Sequence, residues 1–172
     1  MKNFLKLLGI TIINILLCLT VSAQQKFTEG KMIVDEISFE VSFPKTESIV
    51  VSSRLPKYKD GYPLPQSPTP PLPIRRGDME VDTLIDRKII YEALKEKLDK
   101  LKANSEKITI RYVFGQDGNV LDISSYSLPK NTLTPKELAV IDKRLRKEVK
   151  ATFKGREYLE HPVIFYGREI RF

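Results

Sequence analysis

The stretch IRYVFGQDGNVLDISSYS, residues 110–127, constrains the possible folds of this chain more than any other part of the sequence. Two runs rich in β-branched and aromatic residues flank the dipeptide Asp117-Gly118. A tight hairpin turn needs positive backbone φ angles, which glycine adopts freely. We therefore predict an antiparallel hairpin and assign Asp117 to its turn rather than to a metal or catalytic site. The alternate residues of the first strand that should face the core are Ile108, Ile110, Tyr112 and Phe114.

Two amphipathic helices are predicted, one on each side of the hairpin. The first spans residues 81–103, which contain no proline or glycine, and Asp82 is its expected N-cap. Its expected buried stripe consists of Leu84, Ile85, Ile89, Tyr91, Leu94, Leu98 and Leu101. The second helix begins after Thr134, which forms a capping box with Glu137 and is followed by Pro135 at the first helical position. Its expected buried stripe consists of Leu138, Ile141, Leu145 and Val149.

The remaining segments are a terminal strand, an N-terminal β-rich stretch and a proline-rich arm. In residues 162–172 apolar side chains alternate up to the last residue, which predicts a strand tied into the sheet. Residues 24–54 contain the alternating run ISFEVSF, which either extends that sheet or makes a second small one. Residues 55–78 hold seven of the eleven prolines, which indicates a linker or an ordered extended arm over the surface.

These elements define the expected fold class, which is α+β. Over residues 79–172 we predict a small antiparallel sheet, made of the hairpin and the C-terminal strand, that is packed by two helices. The N-terminal β-rich stretch and the proline-rich arm precede this domain. A chain of about 150 residues is long enough to bury a core of this kind.

Residues 1–23 have the features of a secretory signal peptide. Lys2 and Lys6 precede an apolar run that ends in small residues at Ala23. Removing 23 of the 172 residues leaves an expected product of 149 residues without cysteine, located in the periplasm or secreted. Two alternatives stay open, an uncleaved anchor and a lipoprotein modified at Cys18. Membrane attachment is expected only in those two cases.

The composition excludes several kinds of site. After the leader the chain has one histidine, His161, whereas a zinc site or a nucleophilic triad needs several well-placed partners. Glycine-rich nucleotide motifs and calcium loops are missing from the sequence. We therefore expect no metal, no cofactor and no catalytic residues. Without Lys2 and Lys6 the 27 basic and 22 acidic residues give a net charge of +5. The basic residues are not interleaved with aromatic ones, as they are in surfaces that bind nucleic acids, so we expect no nucleic-acid partner.

The second half of the chain resembles a known family. Over residues 81–172 the order helix, strand, DG turn, strand, helix, strand is similar to the C-terminal domain of TonB-type energy transducers, and residues 108–127 are similar to that family's first hairpin. The family's Tyr-Pro-x-x-Ala and Trp-x-Phe/Tyr-x-Pro motifs are missing, and the arm is far shorter than a periplasm-spanning linker. The leader and the small lysine-rich domain also resemble the secreted proteins of Bacteroides-like bacteria. The resemblance to TonB-type domains implies recognition of a partner segment by strand addition.

Two hypotheses about function follow. The first is an exported, non-catalytic binding or scaffold protein of the bacterial cell envelope, whose partner is an envelope protein or peptide. Its expected contact residues are Val113 and Phe165 on two strands with open edges, and secondarily the lysine face of Lys143, Lys147 and Lys150 on the second helix. The second hypothesis is an envelope hydrolase that uses carboxylates brought together by folding.

The first testable prediction concerns processing of the leader. We expect cleavage between Ala23 and Gln24, because the apolar run and the small-residue site agree in position. N-terminal sequencing of protein from the native host measures this directly. A chain starting at a lipid-modified Cys18, or an intact Met1, would contradict the prediction.

Overall fold

The computed structural model describes residues 26–45, 48–66, 72–75 and 77–172. The predicted leader, with Cys18 and the cleavage site after Ala23, lies outside the described residues. In the part of the chain that the model describes, no helix is both long enough and apolar enough to cross a membrane.

In the described residues, a six-stranded antiparallel sheet and three helices form the body of the protein, which confirms the predicted α+β class. In chain order the elements are β1 (Gly30–Val34), β2 (Ile37–Lys45), β3 (Ser48–Ser52), β4 (Met79–Val81), α1 (Thr83–Ala93), α2 (Leu98–Ala103), β5 (Lys107–Phe114), β6 (Val120–Pro129), α3 (Pro135–Glu148), β7 (Ala151–Phe153) and β8 (Ile164–Arg171). The large sheet has the order β1-β2-β3-β6-β5-β8, and β4 pairs with β7 in a separate two-stranded sheet. The N-terminal stretch therefore extends the sheet of the hairpin, one of its two expected arrangements.

One continuous core lies between the large sheet and the helices. On β5 the alternate residues that were predicted to face inward are all buried, and the same alternation continues on β2 and β3. From the helices the core receives Ile89, Ile90, Leu94, Leu101, Leu138, Ile141, Leu145 and Val149. The apolar side chains of the strands therefore lie on the face of the sheet that α1 and α3 cover. These two helices also pack against each other.

The predicted turn and caps are present. Gly118 has φ +75, and a Cβ there would lie 2.0 Å from the carbonyl oxygen of Ala151, so only glycine fits this close approach. The Asp117 carboxylate accepts from the backbone N–H of Asn119 at 3.0 Å, which confirms its turn role. Asp82 caps α1, and Thr134 forms the expected capping box with Glu137 at the start of α3.

The first predicted helix is broken into two. Leu94 has φ −107 and ψ +16, a single 3₁₀ turn covers Lys95–Lys97, and α2 then begins at Leu98. The prediction that Leu84 is buried is wrong, since its side chain is 78% exposed. Leu84 precedes the buried Ile89 by five residues, which places it about 140° around the helix from the core-facing side.

The first part of the proline-rich arm is ordered against the other face of the sheet. The ring of Tyr62 packs edge-on against Phe165 of β8 with a centroid distance of 5.3 Å, and its hydroxyl donates to Asp122 of β6 at 2.8 Å. Val113 lies directly across from both Asp122 and Phe165 in the sheet register. The arm thus covers this part of the sheet, and Val113 is buried under it.

The capping box yields a pH-dependent prediction. Burial acts to raise the pKa of Glu137, but hydrogen bonds from Lys97 and Thr134 outweigh it, so the pKa is lowered from 4.5. The ionised form is therefore stabilised in the folded state, and its contribution is present above pH 4.5 and lost as the pH falls through the folded pKa. A Glu137→Gln variant, which keeps the cap but loses the charge, should be less stable than wild type at pH 7 by about 0.5 kcal/mol.

Urea unfolding at pH 7 and at pH 3 measures this difference, which should shrink at the lower pH. Glu96→Gln serves as the control, because Glu96 is exposed and has no ion pair among the described residues. A difference for Glu137→Gln that grows as the pH falls would contradict the assignment.

Candidate functional site

The predicted contact residue Val113 is not accessible to a partner. β5 is paired with β6 on one side and with β8 on the other, so it is an interior strand. The prediction that strand 108–114 has an open edge is therefore wrong, and the side chain of Val113 is 0% exposed. The terminal strand occupies the edge that the hairpin alone would have left free.

Phe165, in contrast, lies on an edge strand. β8 pairs only with β5 among the described strands, and no described strand lies along its outer side. The Phe165 side chain is 61% exposed even though one edge of its ring contacts Tyr62. Of the two predicted strand edges, the one on β8 is available.

A shallow apolar groove runs beside the first half of β8. Its volume is about 430 Å³, and its lining includes Pro73, Ile74, Met79, Val163, Ile164 and Phe165. The far wall is part of the proline-rich arm, whose Leu72 carbonyl oxygen lies 2.9 Å from Nε2 of His161. His161, the one histidine of the sequence, thus contacts the arm.

The predicted lysine face is only partly formed. Lys143 and Lys147 lie one turn apart on the exposed side of α3 and line a cavity of about 480 Å³ with Arg54 and the acidic Asp35. Lys150 does not continue this face, because α3 ends at Glu148 and the next residue is extended. The Lys150 ammonium instead donates to the side chain of Asn119 in the hairpin loop.

Sequence reasoning missed a buried ionic network between α3 and β6. Arg146 donates from Nε to Oδ2 of Asp142 at 2.7 Å and from Nη1 to Oδ1 of Asp122 at 2.8 Å. Its Nη2 also donates to the carbonyl oxygen of Ser53 at 2.6 Å. The side chains of both aspartates are buried, and Arg146 is mostly buried. Only the i,i+4 spacing of Asp142 and Arg146 could have indicated part of this network.

Both oxygens of each aspartate are already engaged. Asp122 accepts from Arg146, from the backbone N–H of Leu55 and Ile123 and from the Tyr62 hydroxyl. Asp142 likewise accepts from several donors, which are Arg146, the Ser53 hydroxyl and the Tyr126 hydroxyl.

The tyrosines that donate to these carboxylates are held in the protonated form. Burial, with the hydrogen bond to Asp122, raises the pKa of Tyr62 to about 12. Burial, with the charge of Asp142, also raises the pKa of Tyr126 well above its usual value. The network is thus a set of satisfied structural bonds and presents no free acid or base.

A second buried ion pair joins α1 to β8. Nε of Arg168 donates to Oδ2 of Asp86 at 3.1 Å, and this inward-facing arginine explains the interruption in the apolar alternation of the last strand. Burial raises the pKa of Asp86, and Arg168 only partly opposes this. The other oxygen of Asp86 and the Tyr112 hydroxyl are buried without a partner among the described residues. Across the described ranges, no three potential ligands cluster as a metal site requires.

Comparison with known proteins shows the fold. No protein-family model matches the chain, and no curated protein matches its sequence. The structure is similar to that of a DUF5043 family protein from Bacteroides uniformis, with a TM-score of 0.57, 12% identity and 86% of each chain covered. The source of this neighbour agrees with the expected Bacteroides type, whereas the resemblance to TonB-type domains is not confirmed.

The network generates a stability prediction with an internal control. Arg146→Met should lower the free energy of unfolding by about 3–5 kcal/mol, because it leaves two buried carboxylates without their counter-charge. Arg144→Met, two residues away, removes a more exposed arginine paired with Glu92 and Glu148 at 2.8 Å and should cost under about 1 kcal/mol. Urea unfolding at pH 7 compares the two variants. Equal losses would show that the buried network is no more important than a surface ion pair.

Proposed function

We propose that the protein is an exported, non-catalytic binding protein of the bacterial cell envelope that recognises an extended peptide segment of its partner by strand addition to β8. The observation that carries the proposal is the outer edge of β8, eight residues long and without a described strand beside it. An edge strand presents unpaired N–H and C=O groups, which an incoming strand can pair.

β8 is better suited to this role than the opposite edge. β1 has five residues, one of which is Lys31, whereas β8 has eight and contains neither proline nor lysine; the charged residues of β8, Arg168, Glu169 and Arg171, all lie in its second half. At the C-terminal end of β8, the Tyr91 hydroxyl donates to the Arg171 carbonyl oxygen at 3.2 Å, so this last carbonyl of the strand already has a hydrogen-bond partner. The edge is therefore open over residues 164–170.

The surroundings of β8 provide a basis for side-chain recognition. In strand addition the backbone bonds give affinity, and pockets beside the strand select alternate side chains of the partner. The apolar groove between Ile164 and the arm is such a pocket, and Phe165 offers an aromatic surface next to it. A cell-envelope partner with a short apolar extended segment fits this combination.

The hydrolase alternative has no observation in its favour. It requires two carboxylates that can reach a substrate. The buried acids that folding brings together are Asp122 and Asp142, and the more exposed Glu92 and Glu148 are both paired with Arg144. The oxygens of Asp122 and Asp142 are occupied by protein donors, as described above.

The test uses two lysine substitutions at opposite edges of the sheet. Phe165→Lys places a charge on the open edge of β8, and Ile33→Lys does the same on β1, where Ile33 is 68% exposed. Partners captured from envelope extract by the wild-type protein should bind the Ile33→Lys variant equally and the Phe165→Lys variant at least tenfold more weakly.

Hydrogen exchange then locates the contact. On binding an identified partner, backbone amides of residues 164–170 should become protected, whereas amides of Gly30–Val34 should not change. Protection confined to the surface around Lys143 and Lys147, or full binding by the Phe165→Lys variant, would contradict strand addition at β8.

A further inference from the structure

A cavity on the helix side of the sheet combines an apolar floor with a lysine rim. Its volume is about 520 Å³, within the range of about 300–1,000 Å³ that is typical of small-molecule sites. The floor is formed by Phe27, Phe43, Ile49, Leu101 and Leu133. The rim carries Lys26, Lys97, Lys100 and Lys130. It shares no lining residue with the groove beside β8.

Local features of the chain create this cavity. The register between β2 and β3 shifts between Ser42 and Lys45, and Phe43 lies at this irregularity. A bulge of this kind re-aims the side chains beside it. On the opposite side, the break after Leu94 directs the short helix α2 across the end of the core, which brings Lys100 and Leu101 to the same cavity.

The charges around the cavity do not balance. Lys97 is paired with Glu137 at 2.7 Å, and the lining residue Glu106 bonds the Thr132 hydroxyl and the Asn104 amide. The other three lysines have no ion pair among the described residues. Four lysines against these two glutamates leave an excess of two positive charges at the mouth of an apolar space.

One lysine links the charge directly to the floor. The Lys130 ammonium lies 5.2 Å from the centroid of the Phe43 ring, a cation–π distance. An acidic group bonded to this ammonium would leave its apolar body next to Phe43 and the aliphatic floor. The arrangement is therefore complementary to a molecule with both properties.

We propose that this cavity binds a small amphipathic anion, an acyl chain or similar apolar body that carries one acidic head group. The apolar body lies against Phe27, Phe43 and Leu101, and the acidic group pairs with Lys100 and Lys130 at the rim. This site is independent of strand addition at β8.

The test compares three amphipathic molecules that share a ten-carbon chain and differ in the charge of the head group. Isothermal titration of the purified protein with decanoate, 1-decanol and decyltrimethylammonium, each below its aggregation concentration, should show decanoate binding at least tenfold more tightly than the other two. Raising the salt concentration should weaken decanoate binding, because its head group pairs with exposed lysines. Equal affinity for decanol and decanoate, or no binding of decanoate, would overturn the proposal.

Charge variants assign the binding to this cavity. Lys100→Glu and Lys130→Glu should each weaken decanoate binding at least tenfold, and the milder Lys100→Ala and Lys130→Ala replace them if a charge reversal disturbs folding. Lys102→Glu is the matched control, since Lys102 lies on the same short helix but outside the cavity lining. Unchanged binding by the cavity variants would overturn the proposal. Sedimentation with anionic vesicles by a protein that ignores free decanoate would also overturn it, by showing recognition of a membrane surface instead.

Discussion

The ionic network around Arg146 determines how three parts of the chain fit together. One guanidinium group bonds Asp142 on its own helix, Asp122 on β6 and the backbone of Ser53, which lies between β3 and the arm. A buried charge of this kind is costly to transfer from water and is tolerated only when its partners are in place. The positions of α3, of β6 and of the segment that leads into the arm are therefore coupled. A conformation that displaced any one of them would leave a charge buried without a partner.

The end of β3 lies beside this network, at the point where the chain leaves the sheet. β3 pairs with β6 only at residues 126–129 of β6. Beyond that point the Ser52 hydroxyl donates to the carbonyl oxygen of Ser124, and the Ser53 hydroxyl, which donates to Asp142, lies 3.0 Å from the carbonyl oxygen of Ile123. The chain then leaves the sheet and crosses to its other face, where Tyr62 reaches Asp122 and Phe165. The arm reaches β8 through the side chain of Tyr62, but none of its described residues pairs with β8 as a strand.

The local parts of the fold were predictable from the sequence, and the non-local parts were not. The turn at Gly118 and the Thr134–Glu137 capping box each depend on a few neighbouring residues, so the local sequence is enough to predict them. The interior position of Val113 depends on which strand pairs with the free side of the hairpin, which no local pattern specifies.

The error at Leu84 has a similar origin, because the core-facing side of a short helix depends on what packs against it. The candidate sites behave in the same way. Phe165 could be placed on a terminal strand from its alternation, but the lysine-rimmed cavity needs the bulge near Phe43 and the break after Leu94 to coincide in space.

The composition of the arm has a consequence for the edge of β8. A segment that runs alongside an open strand edge would normally pair with it and complete the sheet. Residues 73–75 pass close enough to β8 to line the same groove, yet they form no strand with it. Pro73 has no backbone N–H to donate, and proline-rich backbone prefers the polyproline conformation, whose geometry does not match a β ladder. The arm can therefore form the wall of the groove without pairing with the outer edge of β8.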